Sequence, residues 1–188
     1  LHKEYRRQRQ MCIRDRSMLL HTLIHPKICS LEGKVLTRPA ARAIVLQQED
    51  ILLLYTQRYN DYSLPGGGLN DGEDVSVGML RELQEETGAQ NIHILRYYGC
   101  IDEYRPSPKP EYDLMYMRSH FYLCNADRVL GSTSLESYEK KNGMTAKWIN
   151  IHHAIAHNER VISDQHVSMG ASIQRETLML KQIARELI

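Results

Sequence analysis

Apolar and polar positions alternate in blocks along the chain, and the blocks set most of the expected elements. ARAIVL (Ala41–Leu46) and ILLLYTQR (Ile51–Arg58) are apolar runs on either side of the polar tetrad QQED. This pattern predicts two antiparallel strands joined by a tight turn. YNDYSLPGGGLNDG follows, and its one proline and four glycines predict an ordered loop. From about Asp74 to Thr87 the period becomes helical: Val75, Met79 and Leu83 fall at i, i+4 and i+8, with Leu80 beside them. Asp74 stands where an N-cap belongs, and Gly88 where a C′ glycine stops the helix. Gly78 interrupts it at about 1 kcal/mol relative to alanine. A close approach one turn before Glu82 and a tolerated blemish both account for that glycine.

Farther along, Asn91–Tyr104 reads as one or two strands, RPSPKPEYD as a loop and Leu114–Ala126 as a strand. GSTSLESYEKKNGMTA reads as loop, AKWINI as a strand and HHAIAHN as the start of a short helix. From about Ser168 a closing amphipathic helix is expected, with Ile173, Leu180, Leu187 and Ile183 on one side as core or as a dimer face. Ser17–Pro39 is mixed and leads in as a short strand or helix. Strands interleaved with two strong helices predict an α/β (α+β) fold with a mixed sheet between helices.

Length and composition narrow the class. A chain of 188 residues fits one domain with a real core. No apolar run is long enough to span a membrane. Cys12, Cys29, Cys100 and Cys124 show no paired spacing, which suggests reduced thiols in a cytoplasmic protein rather than a disulfide framework or a zinc site. LHKEYRRQRQMCIRDR, residues 1–16, lacks an initial Met and apolar periodicity and resembles translated sequencing-adapter read-through. It is set aside from the fold reading, a genuine basic arm being the alternative. Without its six basic and two acidic residues the formal charge moves from +1 to −3, which argues against a nucleic-acid partner. The expected organisation is then a lead-in over 17–39 and one domain over 40–188.

The helix concentrates the candidate chemistry. Glu82 lies one turn from both Glu85 and Glu86, and like charges at that spacing cost roughly 0.2–0.5 kcal/mol per pair. Arg81 offsets part of this through Glu85, and the remainder asks for a counter-ion. Oxygen-only ligands suit Mg²⁺ or Mn²⁺ better than zinc. Gly66, Gly67 and Gly68, just upstream, let a ligand approach the main chain, and a carbonyl there adds another oxygen.

Gly67, then Glu73 after five residues, then after seven more Arg81-Glu82-Leu83-x-Glu85-Glu86-x-Gly88-Ala89, resembles the Nudix box at every defined position. Chance gives such a match on the order of 10⁻⁹ per start position. The resemblance covers roughly Ala40 to Ile155 and extends toward the C-terminal helix. It implies a Nudix-type α/β/α sandwich and a metal-dependent pyrophosphohydrolase acting on a nucleoside diphosphate linked to another group. By motif position, Glu82, Glu85, Glu86 and the Gly67 carbonyl would hold the metal, Mg²⁺ or Mn²⁺. Glu82, Glu85 and Arg81 would be catalytic, with Arg81 orienting a glutamate, and Glu73 would be structural. Gly66, Gly68 and Arg58 would meet substrate. The general base stays open among Glu82, Glu85 and a glutamate outside the box. Thr145 stands where relatives often carry a glutamate three residues before the late Trp148, so Glu136, Glu139, Glu103 and Glu111 are further candidates.

Blander readings compete at each position. An acidic helix face is most often only solvated, and His152, His153 and His157 read as a surface cluster. His120 reads as a packed or edge residue. Tyr59, Tyr62 and Tyr104 could stack on a base or simply fill half-exposed positions. A nucleotide-sensing module without turnover is the alternative function. The partner expected is a small-molecule nucleotide: a nucleoside triphosphate, ADP-ribose or another nucleotide sugar, or a dinucleoside polyphosphate. A homodimer stays open.

Overall fold

The computed structural model describes residues 18–165 and 169–188. The set-aside segment 1–16 and the expected helix start at Ser168 lie outside the described residues. Among these residues nine strands form one connected sheet. β3 (Ala40–Gln47) and β4 (Asp50–Thr56) are the expected hairpin, with Leu46 opposite Ile51 and Gln47 opposite Asp50. β7 (His93–Arg105) and β8 (Leu114–Asn125) form a long antiparallel pair, and β3 runs parallel to β8. β9 (Met144–Asn150) pairs antiparallel with β4. The mixed segment before Pro39 supplies two strands: β1 (Leu19–Ile24), parallel to β7, and β2 (Val35–Thr37), parallel to β8.

Helices cover both faces, which explains why ARAIVL and ILLLYT are nearly continuous apolar runs instead of alternating ones. Ala41, Ala43, Val45 and Leu52 pack against Met79 and Leu83 of α1 (Val75–Thr87). Ile44, Ile51 and Leu53 face the other way, onto α3 (Ile151–Ser163) and α4 (Ile173–Leu187). The expected stripe of α4 is core: Ile173, Leu180 and Ile183 are fully buried, and Leu187 packs against the same cluster. Each such leucine or isoleucine contributes about 1.5–3 kcal/mol when fully buried. The architecture is the expected α/β/α sandwich with a mixed sheet. Among the described residues no helix is long and apolar enough to cross a membrane.

Three local expectations need correction. The loop YNDYSLPGGGLNDG contains two short strands, β5 (Asp61–Ser63) on β4 and β6 (Gly66–Gly68) on β3. Their strand character comes from backbone pairing, which glycine can supply without a favourable side chain. The polar stretch after Gly131 contains a helix, α2 (Ser137–Asn142), closed by Gly143 at φ 69°. Its N-terminus is tied by the Glu136 amide, which donates to Oε2 of Glu139 at 2.7 Å. The helix begun by HHAIAHN runs 13 residues, beyond the short one expected.

Candidate active site

α1 is capped at both ends. Asp74 Oδ1 accepts from the amides of Ser76 (2.9 Å) and Val77 (3.2 Å). Gly88, at φ 68°, sends its amide to the Gln84 carbonyl. The loop after β8 supports the C-terminus: the amides of Ser134 and Gly131 donate to the carbonyls of Glu85 and Gly88, both at 2.7 Å. The carbonyls of Gln84, Glu85 and Gly88 thus have backbone partners at this helix end, and the chain leaving that loop enters α2. Gly78 is explained by close approach. A Cβ there would strike Leu69 and lie 2.9 Å from Oε2 of Glu73, so the loop before the helix presses directly on its first turns.

The glycine strand lies against the acidic face of α1. The Gly66 amide donates to Oε2 of Glu86 at 2.6 Å. Glu82 sits over Gly67: a Cβ on that glycine would be 2.9 Å from the Glu82 carboxylate. Gly66 itself is at φ 134°, and a Cβ there would overlap the Ala41 carbonyl of β3. Only glycine fits this combination of backbone angle and interstrand contact.

Arg81 ties the carboxylates together. Its Nε and Nη2 reach the two oxygens of Glu73 at 2.9 and 3.1 Å. Its Nη1 donates to Glu82 at 2.8 Å and to Glu85 at 3.2 Å, and Nη2 approaches the Gly68 carbonyl at 3.5 Å. Arg81 holds the Glu73 carboxyl down to about 2. The inner glutamates move the opposite way. Burial, with the charges of Glu85 and Glu139 added, raises Glu82 despite Arg81. Burial pushes Glu86 up to about 8; Glu82 and Glu139 add to the rise, and the Gly66 amide and Arg42 oppose it. Glu86 and Glu139 are each only 4% exposed.

The expected residues therefore separate into groups. Glu73, Arg81, Glu82, Glu85, Glu86 and Gly66–Gly68 form one cluster. Glu139, from α2, joins it electrostatically and is fixed by the Glu136 amide and by the Tyr138 hydroxyl at 2.9 Å. Arg58 lies exposed in the turn after β4, its polar contacts running to Asn142 (3.1 Å) and the Tyr59 ring. Glu103 belongs to a buried ion network with Arg105 and Arg175, and Glu111 is exposed in the loop before β8. His152 and His153 are exposed as expected. His157 is half-buried against the Tyr62 ring and bonds the Asn60 carbonyl at 2.8 Å. His120 is packed in the sheet beside Tyr97, 2.9 Å from its hydroxyl.

Sequence reasoning missed Arg42, Arg175 and Glu176, which lie beneath the glycine strand. A charged residue inside the apolar run ARAIVL, and a glutamate beside the Ile173–Leu180 stripe, were the signals available.

Two cavities flank the cluster. One of about 260 Å³ opens beside Glu86, between Leu130, Thr133, Leu135, Met144 and Thr145. The other, about 290 Å³, lies by Gly68 and is lined by Arg38, Asn70 and Glu73 among others. Among the described residues no three acidic, histidine or cysteine side chains converge into a ready-made cation cage. The donor chemistry still fits a hard divalent ion. The donors are all oxygen, and among the described residues Arg81 is the only cationic side chain bonded to Glu82 and Glu85, so the cluster is short of positive charge.

A glycine strand held against a glutamate-rich helix, inside an α/β/α sandwich, defines the class of protein. The chain belongs to the Nudix hydrolase family: the NUDIX domain matches residues 36–168. It is similar to a CMP-5′-(N-acetyl-N-hydroxy-3-aminopropyl)phosphonate hydrolase of Streptomyces rubellomurinus, 31% identical over 157 residues, covering 77% of this chain and 66% of that protein. It is also similar to Nudix hydrolase 7 of Arabidopsis thaliana, 33% identical over 95 residues, 49% of this chain and 29% of that one. The chain thus spans less than two thirds of the length of either relative. A solved NUDIX hydrolase from Nitrosomonas europaea shares the fold, with a TM-score of 0.54 at 15% identity over 79% of this chain and 90% of that one.

Proposed function

We propose that the chain hydrolyses the phosphoanhydride joining a nucleoside diphosphate to a second group, with Mg²⁺ or Mn²⁺ held by Glu82, Glu85, Glu86 and the Gly67 carbonyl. One observation carries this reading: Glu82 and Glu86 are sheltered from water, pressed onto the glycine strand and raised in pKa chiefly by burial, with neighbouring carboxylates adding to the rise. Such a pocket repels a polyphosphate unless cations reverse its sign. When bound, the cation supplies Lewis-acid stabilisation of phosphate oxygens and lowers the pKa of water.

The chain's own residues do the rest. Arg81 fixes the rotamers of Glu82 and Glu85, and the Gly66 amide fixes Glu86. Gly68 leaves the backbone open to the phosphates, whereas Gly66, expected to meet substrate, is buried, its N–H donating to Glu86 and its carbonyl accepting from Arg42. Glu82, Glu85 and Glu139 are the carboxylates able to take a proton from attacking water. Arg58 bonds Asn142, one turn along α2 from Glu139, and from that rim it would meet a distal phosphate. The Streptomyces relative's name supports a nucleotide-linked substrate, so the useful panel holds nucleoside triphosphates, ADP-ribose, dinucleoside polyphosphates and a CMP-linked phosphonate.

The test is product release from that panel with Mg²⁺ or Mn²⁺, with EDTA, and with Glu86→Gln. Product should appear only with cation and fall about 100-fold in the variant, the scale of losses at metal sites. Nucleotide binding without product in the wild-type protein would overturn the enzymatic reading in favour of a sensing module.

A further inference from the structure

The backbone from Leu64 to Gly66 is held from below by charge. The Leu64 amide donates to Oε2 of Glu176 at 2.9 Å, across a sequence separation of 112 residues. Nη1 of Arg42 donates to the carbonyls of Leu64 (3.2 Å) and Gly66 (3.1 Å). The Ala43 amide donates to the Pro65 carbonyl at 2.9 Å, and the Gly66 amide donates to Glu86. Pro65 has no N–H, so every polar backbone atom of these three residues has a partner.

The partners are themselves locked. Arg175 bonds Glu176 (2.7 Å) and Glu103 (2.7 Å), and Arg105 bonds Glu103 at 2.6 Å. Glu176 and Arg175 are 1% and 2% exposed. Burial works against the Glu176 charge, yet Arg42, Arg175 and the Leu64 amide outweigh it and hold its carboxyl below the ordinary value. Five charged side chains beneath one loop are a poor device for stability, because well-packed apolar residues do as well or better. What they supply instead is direction: the guanidinium of Arg42 and the carboxylate of Glu176 fix the peptide planes that aim the Gly66 N–H at Glu86.

We propose that Arg42 and Glu176 are positioning residues for the site, acting through the Leu64–Gly66 backbone on Glu86. The proposal rests on the phosphoanhydride reading for its kinetic consequence and on the geometry alone for its structural one.

The experiment takes the full chain with Arg42→Met, Arg42→Lys and Glu176→Gln, and makes two measurements. Amide exchange by NMR should quicken about tenfold or more at Leu64 and Gly66, while Leu52–Leu54 in β4 keep their wild-type protection. With Mg²⁺ and the best substrate of the panel, kcat should fall about tenfold or more with KM within threefold, since small misplacements of a reacting group are costly. Arg42→Lys keeps the charge beside Glu176 but loses the planar head, so it should restore thermal stability and not kcat. Should Arg42→Met fail to fold, the lysine variant and Glu176→Gln carry the test. Unchanged exchange at Leu64 and Gly66, or wild-type kcat in a folded variant, overturns the proposal. If the wild-type protein turns over nothing in the panel, the phosphoanhydride reading is what fails, and the exchange measurement still decides the positioning.

Discussion

The amide of Gly66 and the carboxylate of Glu86 meet at 2.6 Å, joining the glycine strand to the helix that bears the acidic cluster. Everything near this bond is short of room, but the shortage differs from residue to residue.

At Gly66 the obstacle is backbone. The φ of 134° and the Ala41 carbonyl leave no space for a side chain, so Gly66→Ala should cost more than about 2 kcal/mol. At Gly67 the obstacle is the movable end of Glu82. Gly67→Ala should therefore stay within about 1 kcal/mol of wild type but displace the carboxylate and cut turnover. Urea melts beside turnover assays separate the two. Equal stability losses in both variants would refute this distinction.

Arg81→Ala removes four side-chain bonds, to Glu73, Glu82 and Glu85. The pH dependence follows from Glu73, whose carboxyl Arg81 holds at about 2 against an ordinary 4.5. A depressed carboxyl contributes stability that is complete above its unfolded value and lost as pH falls through its folded one. The wild-type protein should exceed the variant in stability at pH 7, and the gap should narrow between pH 4.5 and 2. Chemical melts across that range check it; a gap independent of pH would remove Glu73 from the account.

Much of this arrangement was readable in the sequence, for uneven reasons. β3, β4 and α1 announce themselves because dense apolar periodicity and end caps agree. β5 and β6 were hidden because tyrosine, serine and three glycines owe their strand state to partners on β4 and β3. α2 was hidden because all six of its residues are polar or tyrosine, and its start is fixed by Glu139 reaching back to the Glu136 amide. The acidic cluster was legible as a motif within 23 residues. The Arg42–Glu176 support was not, since its members lie on the first core strand and the last helix, and only packing brings them together.

Asp61 behaves in the reverse sense to Glu73. Burial, then the nearby Glu176 charge, pushes its carboxyl from 3.8 up to about 6. The folded state thus binds the proton more tightly than the unfolded state, and stability from this group falls as pH rises from about 4 to 6. Above pH 6 the buried charge is a standing cost. Asp61→Asn should stabilise the protein by about 1–2 kcal/mol at pH 7.5, after allowance for solvent screening, and by nothing near pH 4. Thermal melts of both proteins at the two pH values decide it. A destabilised variant at pH 7.5 would mean that the carboxylate is compensated in a way this charge balance omits.

Glu139 offers the sharpest separation between structure and chemistry. It is buried, it raises both Glu82 and Glu86, and its carboxylate is steadied by the Tyr138 hydroxyl and the Glu136 amide. A like charge beside two others destabilises the protein at rest, so its role is expected in the reaction. Glu139→Gln keeps the shape and removes the repulsion. Stability should hold or rise by up to about 1 kcal/mol, while kcat should fall by about 10²-fold or more if this group takes the water's proton. Glu136→Gln is the comparison: its backbone amide still donates to the Glu139 carboxylate, and the glutamine carbonyl can still accept the Glu139 N–H of the capping box, so turnover should stay near wild type. If the two variants lose turnover equally, Glu139 acts only as part of the helix, and the proton passes to Glu82 or Glu85. If neither loses it, α2 lies outside the chemistry altogether.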